Sequence, residues 1–180
     1  MKKLLIIAGL FAVITNVNAQ GAKQNAIKLN PLSLAVMTGN VSYERAINHN
    51  QSIQIGGFYS GVSAGGLKYS GFGITPEYRV YVGGAKEALN GLYVAPFARY
   101  TNFSLTDKST STSTTFSSVG GGVDLGWQKM WKSGFVIDLF AGPAYNSGKF
   151  KNSSDQSQYK LSFGLNGFGA RAGIGIGFGF

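Results

Sequence analysis

Eight ionisable side chains recur inside segments whose apolar residues alternate: Lys28, Glu44, Glu77, Arg79, Arg99, Asp124, Asp138 and Arg171. Each shares parity with the small or polar residues of its segment, away from the aliphatic ones. Free carboxylates in such places would offer general acids and bases. Acids matched one to one with bases point elsewhere, to a balanced ion network, because buried charge persists only when paired and hydrogen-bonded. Other chemistry is missing. The one histidine, His49, sits in the turn-forming run Asn48-His49-Asn50-Gln51 and reads as a solvated turn residue, leaving a Ser-His-acid triad without a base. With no cysteine, a single histidine and no loop of clustered acids, no metal site or disulfide is expected. Gly173-Ile174-Gly175 has strand periodicity and no helix after it, so it is no phosphate loop. The basic residues are dispersed without an aromatic platform, which excludes nucleic acid despite a pI of 9.8. No catalytic residue and no cofactor are expected, and the chain does not read as an enzyme.

The elements that would carry these charges are strands. Leu165–Phe180 alternates strictly: Phe168, Ala170, Ala172, Ile174, Ile176, Phe178 and Phe180 on one face, glycines and Arg171 on the other. Glycine weakens a strand, so a glycine face needs a cause, and backbone crowded against a narrow, filled lumen supplies one. Seven further segments alternate. Asn25–Val36 changes parity at Pro31, where a bulge or irregularity is expected. Val41–Ile47, Ser52–Gly61 and Phe72–Val82 follow, the last setting Ile74, Tyr78, Val80 and Val82 against Thr75, Glu77, Arg79 and Tyr81. In Leu92–Phe103 two apolar sets compete, and Arg99 is placed inward because charge in hydrocarbon costs roughly 2–4 kcal/mol at mid-depth. Ser118–Trp127 and Phe135–Tyr145 complete the set.

Residues 1–19 have two lysines, an apolar run from Leu4 to Ile14 and small residues near Ala19, the pattern of a signal peptide cleaved before Gln20. Residues 20–180 then form one domain. Losing Lys2 and Lys3 leaves 14 bases against 7 acids, so the net charge falls from +9 to +7. No later apolar run is long enough for a membrane helix, so a membrane span would be made of strands. Links 46–51, 83–90 and 128–134 read as short turns; 62–71, 104–116 and 146–163 read as longer loops rich in Ser, Gly and Lys. Short periplasmic turns opposite long external loops are the habit of a transmembrane barrel. The tract Ser109–Thr115 is expected at a hydrated loop tip.

Aromatics near strand ends, Tyr43, Tyr59, Tyr78, Tyr100, Trp127, Trp131, Phe135 and Tyr145, are candidates for interfacial girdles. Lys68, Lys108, Lys149, Lys151 and Lys160 fall in the expected outer loops, facing the phosphates of outer-membrane lipid, lipopolysaccharide included.

The chain resembles the small eight-stranded outer-membrane barrels of the OmpA/OmpX type, and more closely an uncharacterised family of such barrels from Gram-negative bacteria. Lys28-Leu29-Asn30-Pro31, Val41-Ser42-Tyr43-Glu44-Arg45-Ala46, Tyr93-Val94-Ala95-Pro96-Phe97-Ala98-Arg99-Tyr100 and the Phe180 terminus carry the likeness. It implies an all-β, antiparallel, up-and-down transmembrane barrel in the outer membrane. It also implies that Phe178 and Phe180 form the assembly signal read by the barrel-assembly machinery. No peptidoglycan-binding domain is expected after the barrel, a departure from two-domain relatives. The leading expectation is a structural or surface-interaction protein with a lumen filled by side chains, since eight strands leave little more room than that. A narrow channel or carrier for small solutes, and a soluble periplasmic ligand-binding barrel, are the alternatives.

Overall fold

The computed structural model describes residues 23–35, 37–64, 67–82, 87–107, 112–151 and 166–180. The expected signal segment, 1–19, lies outside them. Eight strands form one closed antiparallel barrel in sequence order: β1 (Asn25–Leu29), β2 (Thr38–Asn48), β3 (Gln51–Ala64), β4 (Leu67–Tyr81), β5 (Gly91–Asp107), β6 (Thr112–Met130), β7 (Phe135–Lys151) and β8 (Gly167–Gly179). Closure is made by β1 against β8, through Ala26↔Gly179, Ile27↔Phe178, Lys28↔Gly177 and Leu29↔Ile176. Backbone bonds of 2.9 Å in both directions between Asn25 and Phe180 bring the first strand and the last residue to the same end.

The first segment departs from expectation. Extended structure stops at Leu29, and Pro31 opens a single helical turn, α1 (Pro31–Leu34). The cause is local: the Asn30 side chain accepts from the backbone N–H groups of Leu32 and Ser33, and proline suits the first helical position. The expected parity switch at Pro31 is therefore a capped turn rather than a bulge within a strand. The other prolines do lie within strands. Pro76, Pro96 and Pro143 face outward, and the β4–β5 ladder lapses between Ile74↔Tyr100 and Glu77↔Phe97, beside the first two.

Parity elsewhere assigns the faces. Outward residues are aliphatic or aromatic and exposed, Leu125 at 65% and Phe168 at 82%. Inward residues are small, aromatic or charged. Inward glycines have a specific role: rings from neighbouring strands lie on them, Phe58 on Gly73, Phe103 on Gly71, Tyr93 on Gly126 and Phe140 on Gly173, where any Cβ would overlap the ring.

The expected long loops are a second correction. Pairing runs on through most of 62–71 and 104–116 and through 146–151, to Ala64↔Leu67, Asp107↔Thr112 and Thr115↔Lys151, while residues 152–163 of the third expected loop lie outside the described residues. Thr112–Thr115 of the expected loop tip are strand, and residues 109–111 lie outside the described residues. In these extensions the faces exchange character. Outward pairs become Asn102–Ser117, bonded at 2.8 Å, Ser104–Thr115 at 3.2 Å and Thr106–Ser113 at 3.3 Å. Inward, Phe103 stacks on Phe58 and Tyr69 at 5.9 and 5.6 Å, and Phe116 is buried. Hydroxyls outside and rings inside are the arrangement of a sheet standing in water. The signals that read as loop were the marks of a wetter strand.

The short seam gives a test. A Cβ at Gly177 would collide with the Ile27 carbonyl oxygen across β1–β8, whereas at Gly39 its nearest neighbour would be 3.9 Å away. Gly177→Val is expected to lower stability by about 1–3 kcal/mol and Gly39→Ala to leave it nearly unchanged, read from urea midpoints of the detergent-refolded protein.

Candidate functional site

The lumen holds the chemistry. Lys28 of β1 enters it because Ala26 and Lys28 have the inward parity of that strand. Its Nζ donates to Glu44 of β2, to Gln128 of β6 and, at 2.7 Å, to Asp138 of β7. Arg79 of β4 lies beside it, fully buried. Its Nη1 donates to Asp138 at 2.8 Å and reaches Glu44 at 3.3 Å, while Nε and Nη2 grip Glu77 Oε2 at 3.2 and 2.9 Å. The guanidinium also lies 4.4 Å from the centroid of Tyr93.

Neutral donors complete the carboxylates. Glu44 Oε1 accepts from Ser52 Oγ and from the Tyr81 hydroxyl at 2.7 Å, and Asp138 Oδ1 accepts from the Tyr93 hydroxyl at 2.7 Å. Gln128 donates to the Leu89 carbonyl at 3.2 Å. Leu89 is 1% exposed and holds a left-handed φ of 68°, which closes the link between β4 and β5 under the network. Above it Arg171 bridges Glu77 and Asp124, its guanidinium 4.6 and 4.5 Å from the centroids of Phe97 and Phe140.

Seven of the eight charges expected inside are therefore joined by ion pairs. Arg99 faces inward and stays outside the network. Its nearest aromatic is Phe97, 5.7 Å from the guanidinium carbon, and its Nε has no hydrogen-bond partner. Gln54 Oε1 and Asp124 Oδ1 are likewise unpartnered. The separation has a cause in register: Arg99 pairs with Gly120, whereas the next inward acid of β6 is Asp124, two inward places away. Tyr81, Tyr93, Gln128 and Ser52 were missed as members of the network. Tyr81 and Ser52 carry the inward parity, so the signal was present, but attention to full charges passed over neutral donors.

The aromatics fall in two groups. Trp131 packs on Phe135 at 5.5 Å on the end bearing the chain terminus, with Trp127, Tyr78 and Tyr43 nearby in sequence register; the Tyr43 hydroxyl donates to Asn25. Toward the other end Tyr100 meets Phe72 at 6.2 Å, Tyr145 meets Phe168 at 5.0 Å, and Tyr59 is exposed. Phe178 points outward and exposed, and Phe180 is tied by backbone to Asn25. His49 is exposed in the β2–β3 turn, where its carbonyl accepts from Ala88 at 2.6 Å. Lys149 is exposed; the side chains of Lys68 and Lys151, and all of Lys108 and Lys160, lie outside the described set. Among the described residues no cluster of His, Cys, Asp and Glu has the form of a metal site.

Against known proteins, a family model described as "Protein of unknown function (DUF3575)" matches residues 5–166. None of the curated proteins matches. Among solved structures the chain is similar to CarO of Acinetobacter baumannii, with a TM-score of 0.47 and 12% identity over 88% of this chain and 98% of that one. It is also similar to CarO2 of Acinetobacter baumannii, with a TM-score of 0.41 and 11% identity over the same shares.

Removing one partner from a buried ion cluster leaves charge uncompensated, at a cost of about 3–5 kcal/mol, and losing a neutral donor to a carboxylate costs about 1.5–3 kcal/mol. Lys28→Met is therefore expected to lower the urea midpoint far more than Tyr93→Phe, and both more than Lys149→Met.

Proposed function

The chain belongs to the family of proteins of unknown function DUF3575, and from that premise, which supplies kinship without an activity, we propose that it is an integral outer-membrane barrel with a structural or surface-interaction role. One observation carries this reading: a band of exposed aliphatic and aromatic side chains encircles a lumen plugged at one level by paired charge. A protein surrounded by water would bury the first and expose the second. The exchange of faces above Tyr100 and Val119 fits strands leaving hydrocarbon for water, and the two aromatic groups fit the two interfaces.

The filled cross-section argues against a conducting pore. Arg79, Lys28, Glu44, Gln128, Tyr81 and Tyr93 are each 1% exposed or less and span the interior from wall to wall. The chain's partners on this reading are the lipids of the membrane, lipopolysaccharide among them, and the assembly machinery that would recognise Phe178 and Phe180. The extended sheet at the outer end is then the part that meets other molecules.

Two measurements test the proposal. The protein should fractionate with the outer membrane, resist cold dodecyl sulfate and migrate faster before boiling, and show no steady openings in a planar bilayer. Recovery in the soluble fraction without a heat shift would refute it. Leu125→Arg should then cost about 2–4 kcal/mol in lipid vesicles while Thr115→Arg costs about 0–1 kcal/mol; equal costs would place both residues in the same solvent and deny the band.

A further inference from the structure

Above the ion network the lumen is not full. A cavity of about 250 Å³ remains, walled in part by Asn40, Ser42, Gln54 and Arg99 and floored by Glu77 and Arg171. Two of these walls present polar atoms that nothing satisfies: the Gln54 carbonyl oxygen, on a side chain 3% exposed, and Arg99 Nε. Buried polar groups are nearly always paired, and each exception needs a reason. Arg171 shows the contrast, since its guanidinium is held by Glu77 and Asp124 and covered by Phe97 and Phe140. Arg99 makes no ion pair among the described residues, and its guanidinium carbon lies 5.7 Å from the Phe97 centroid, farther than Arg171 lies from its two rings.

The charges add a constraint. Lys28, Arg79 and Arg171 face Glu44, Glu77, Asp124 and Asp138 in the network. Arg99 balances their sum from a distance, so its charge is compensated overall and unpaired locally. Water can satisfy the Gln54 acceptor, but it does not supply the planar, two-oxygen acceptor that a guanidinium fork fits best. A ligand suited to both groups has a carboxylate for Arg99 and, close to it, an O–H or N–H for Gln54. The volume admits a small organic acid, and the polar walls disfavour an acyl chain.

We propose that the upper lumen is a dead-end binding site for a small carboxylate bearing a neighbouring hydrogen-bond donor, the pattern of an α-hydroxy or α-amino acid, with Arg99 as its anion receptor and Gln54 as its acceptor. The site depends on the barrel and its register, not on the membrane reading, so the two fail separately.

The test uses the full barrel refolded in detergent micelles with nitrogen-15 arginine. The four arginines give few Nε–H resonances, and the one lost in Arg99→Lys is that of Arg99. Glycolate, glycine, acetate and glycolamide are titrated into the wild-type protein. Glycolate or glycine should move the Arg99 resonance saturably in the millimolar range, whichever responds identifying the hydroxy or amino class. Acetate should bind several-fold more weakly, and glycolamide, which lacks the carboxylate, should leave the resonance in place. Gln54→Leu should remove the advantage of glycolate or glycine over acetate without abolishing the acetate response. An Arg99 resonance unmoved by every compound, or moved as much by chloride as by glycolate, would overturn the site and leave a water-filled void. Should none of the four arginine Nε–H resonances of the wild-type protein move, the site is overturned whether or not either variant folds.

Discussion

An eight-stranded barrel has an interior whose width is set by the number of its strands, and whatever occupies that width must satisfy itself. Here the occupant is the buried contact of Lys28 and Arg79 with Glu44 and Asp138. Every strand contributes a side chain to it or to its margin: Lys28 from β1, Glu44 from β2, Ser52 from β3, Glu77, Arg79 and Tyr81 from β4, Tyr93 from β5, Gln128 and Asp124 from β6, Asp138 from β7 and Arg171 from β8. Desolvating so many charges is costly, and their mutual attraction offsets it only with complete hydrogen bonding. The tyrosine and serine partners supply that completion for Glu44 and Asp138. A register slip of one residue in any strand would turn its contribution outward, so the network selects one register for the whole sheet.

The same constraint organises the outer surface. With the polar groups turned inward, the outward parity is left to Ile, Leu, Val and aromatic residues, and their exposure follows from the filling of the lumen. Above Tyr100 the arrangement reverses. Asn102, Ser104 and Thr106 look outward while Phe103 stacks on Phe58 and Tyr69 inside. One continuous sheet thus carries two outer surfaces, with the change marked by a swap of residue classes while strand pairing runs on above it.

Much of this was legible in the sequence. Alternation gave the strand count, the faces and the inward parity of all eight charges, because parity survives errors in strand ends. Strand lengths were not legible. The Gly- and Ser-containing stretch 62–71 and the Ser- and Thr-rich stretch 112–116 alternate weakly in hydropathy, and hydroxyl residues on an outer face resemble those of a loop. Nor was the isolation of Arg99. Parity placed it inside, but pairing depends on axial height, and height comes from strand register, which a single sequence leaves open. The turn at Pro31 was within reach, since Asn30 followed by proline is a helix start, yet the alternation on either side of it was the louder signal.

The glycine face of β8 makes room for several neighbours, Phe140 over Gly173 and Met130 over Gly179 among them, and at its centre it accommodates the reach of a lysine. Lys28 stands on β1 and one of its carboxylate partners, Asp138, on β7, with β8 between them. At Gly175 an added Cβ would lie 3.2 Å from the Asp138 Cβ and 3.5 Å from the Lys28 Cδ, inside the path that the two side chains share. Gly177, which pairs with Lys28 itself, would press its Cβ onto the β1 backbone. Bare backbone on β8 therefore lets Lys28 cross the closing strand and bind to the strand beyond it. The β1–β8 ladder is short, Ala26–Leu29 against Ile176–Gly179, and this crossing adds a second tie across the same seam. Glycine's conformational cost at these positions is offset by room for the ion pair, which any side chain at Gly175 would crowd. At Gly175 and Gly177, closure of the barrel and charge pairing thus set the same demand on composition.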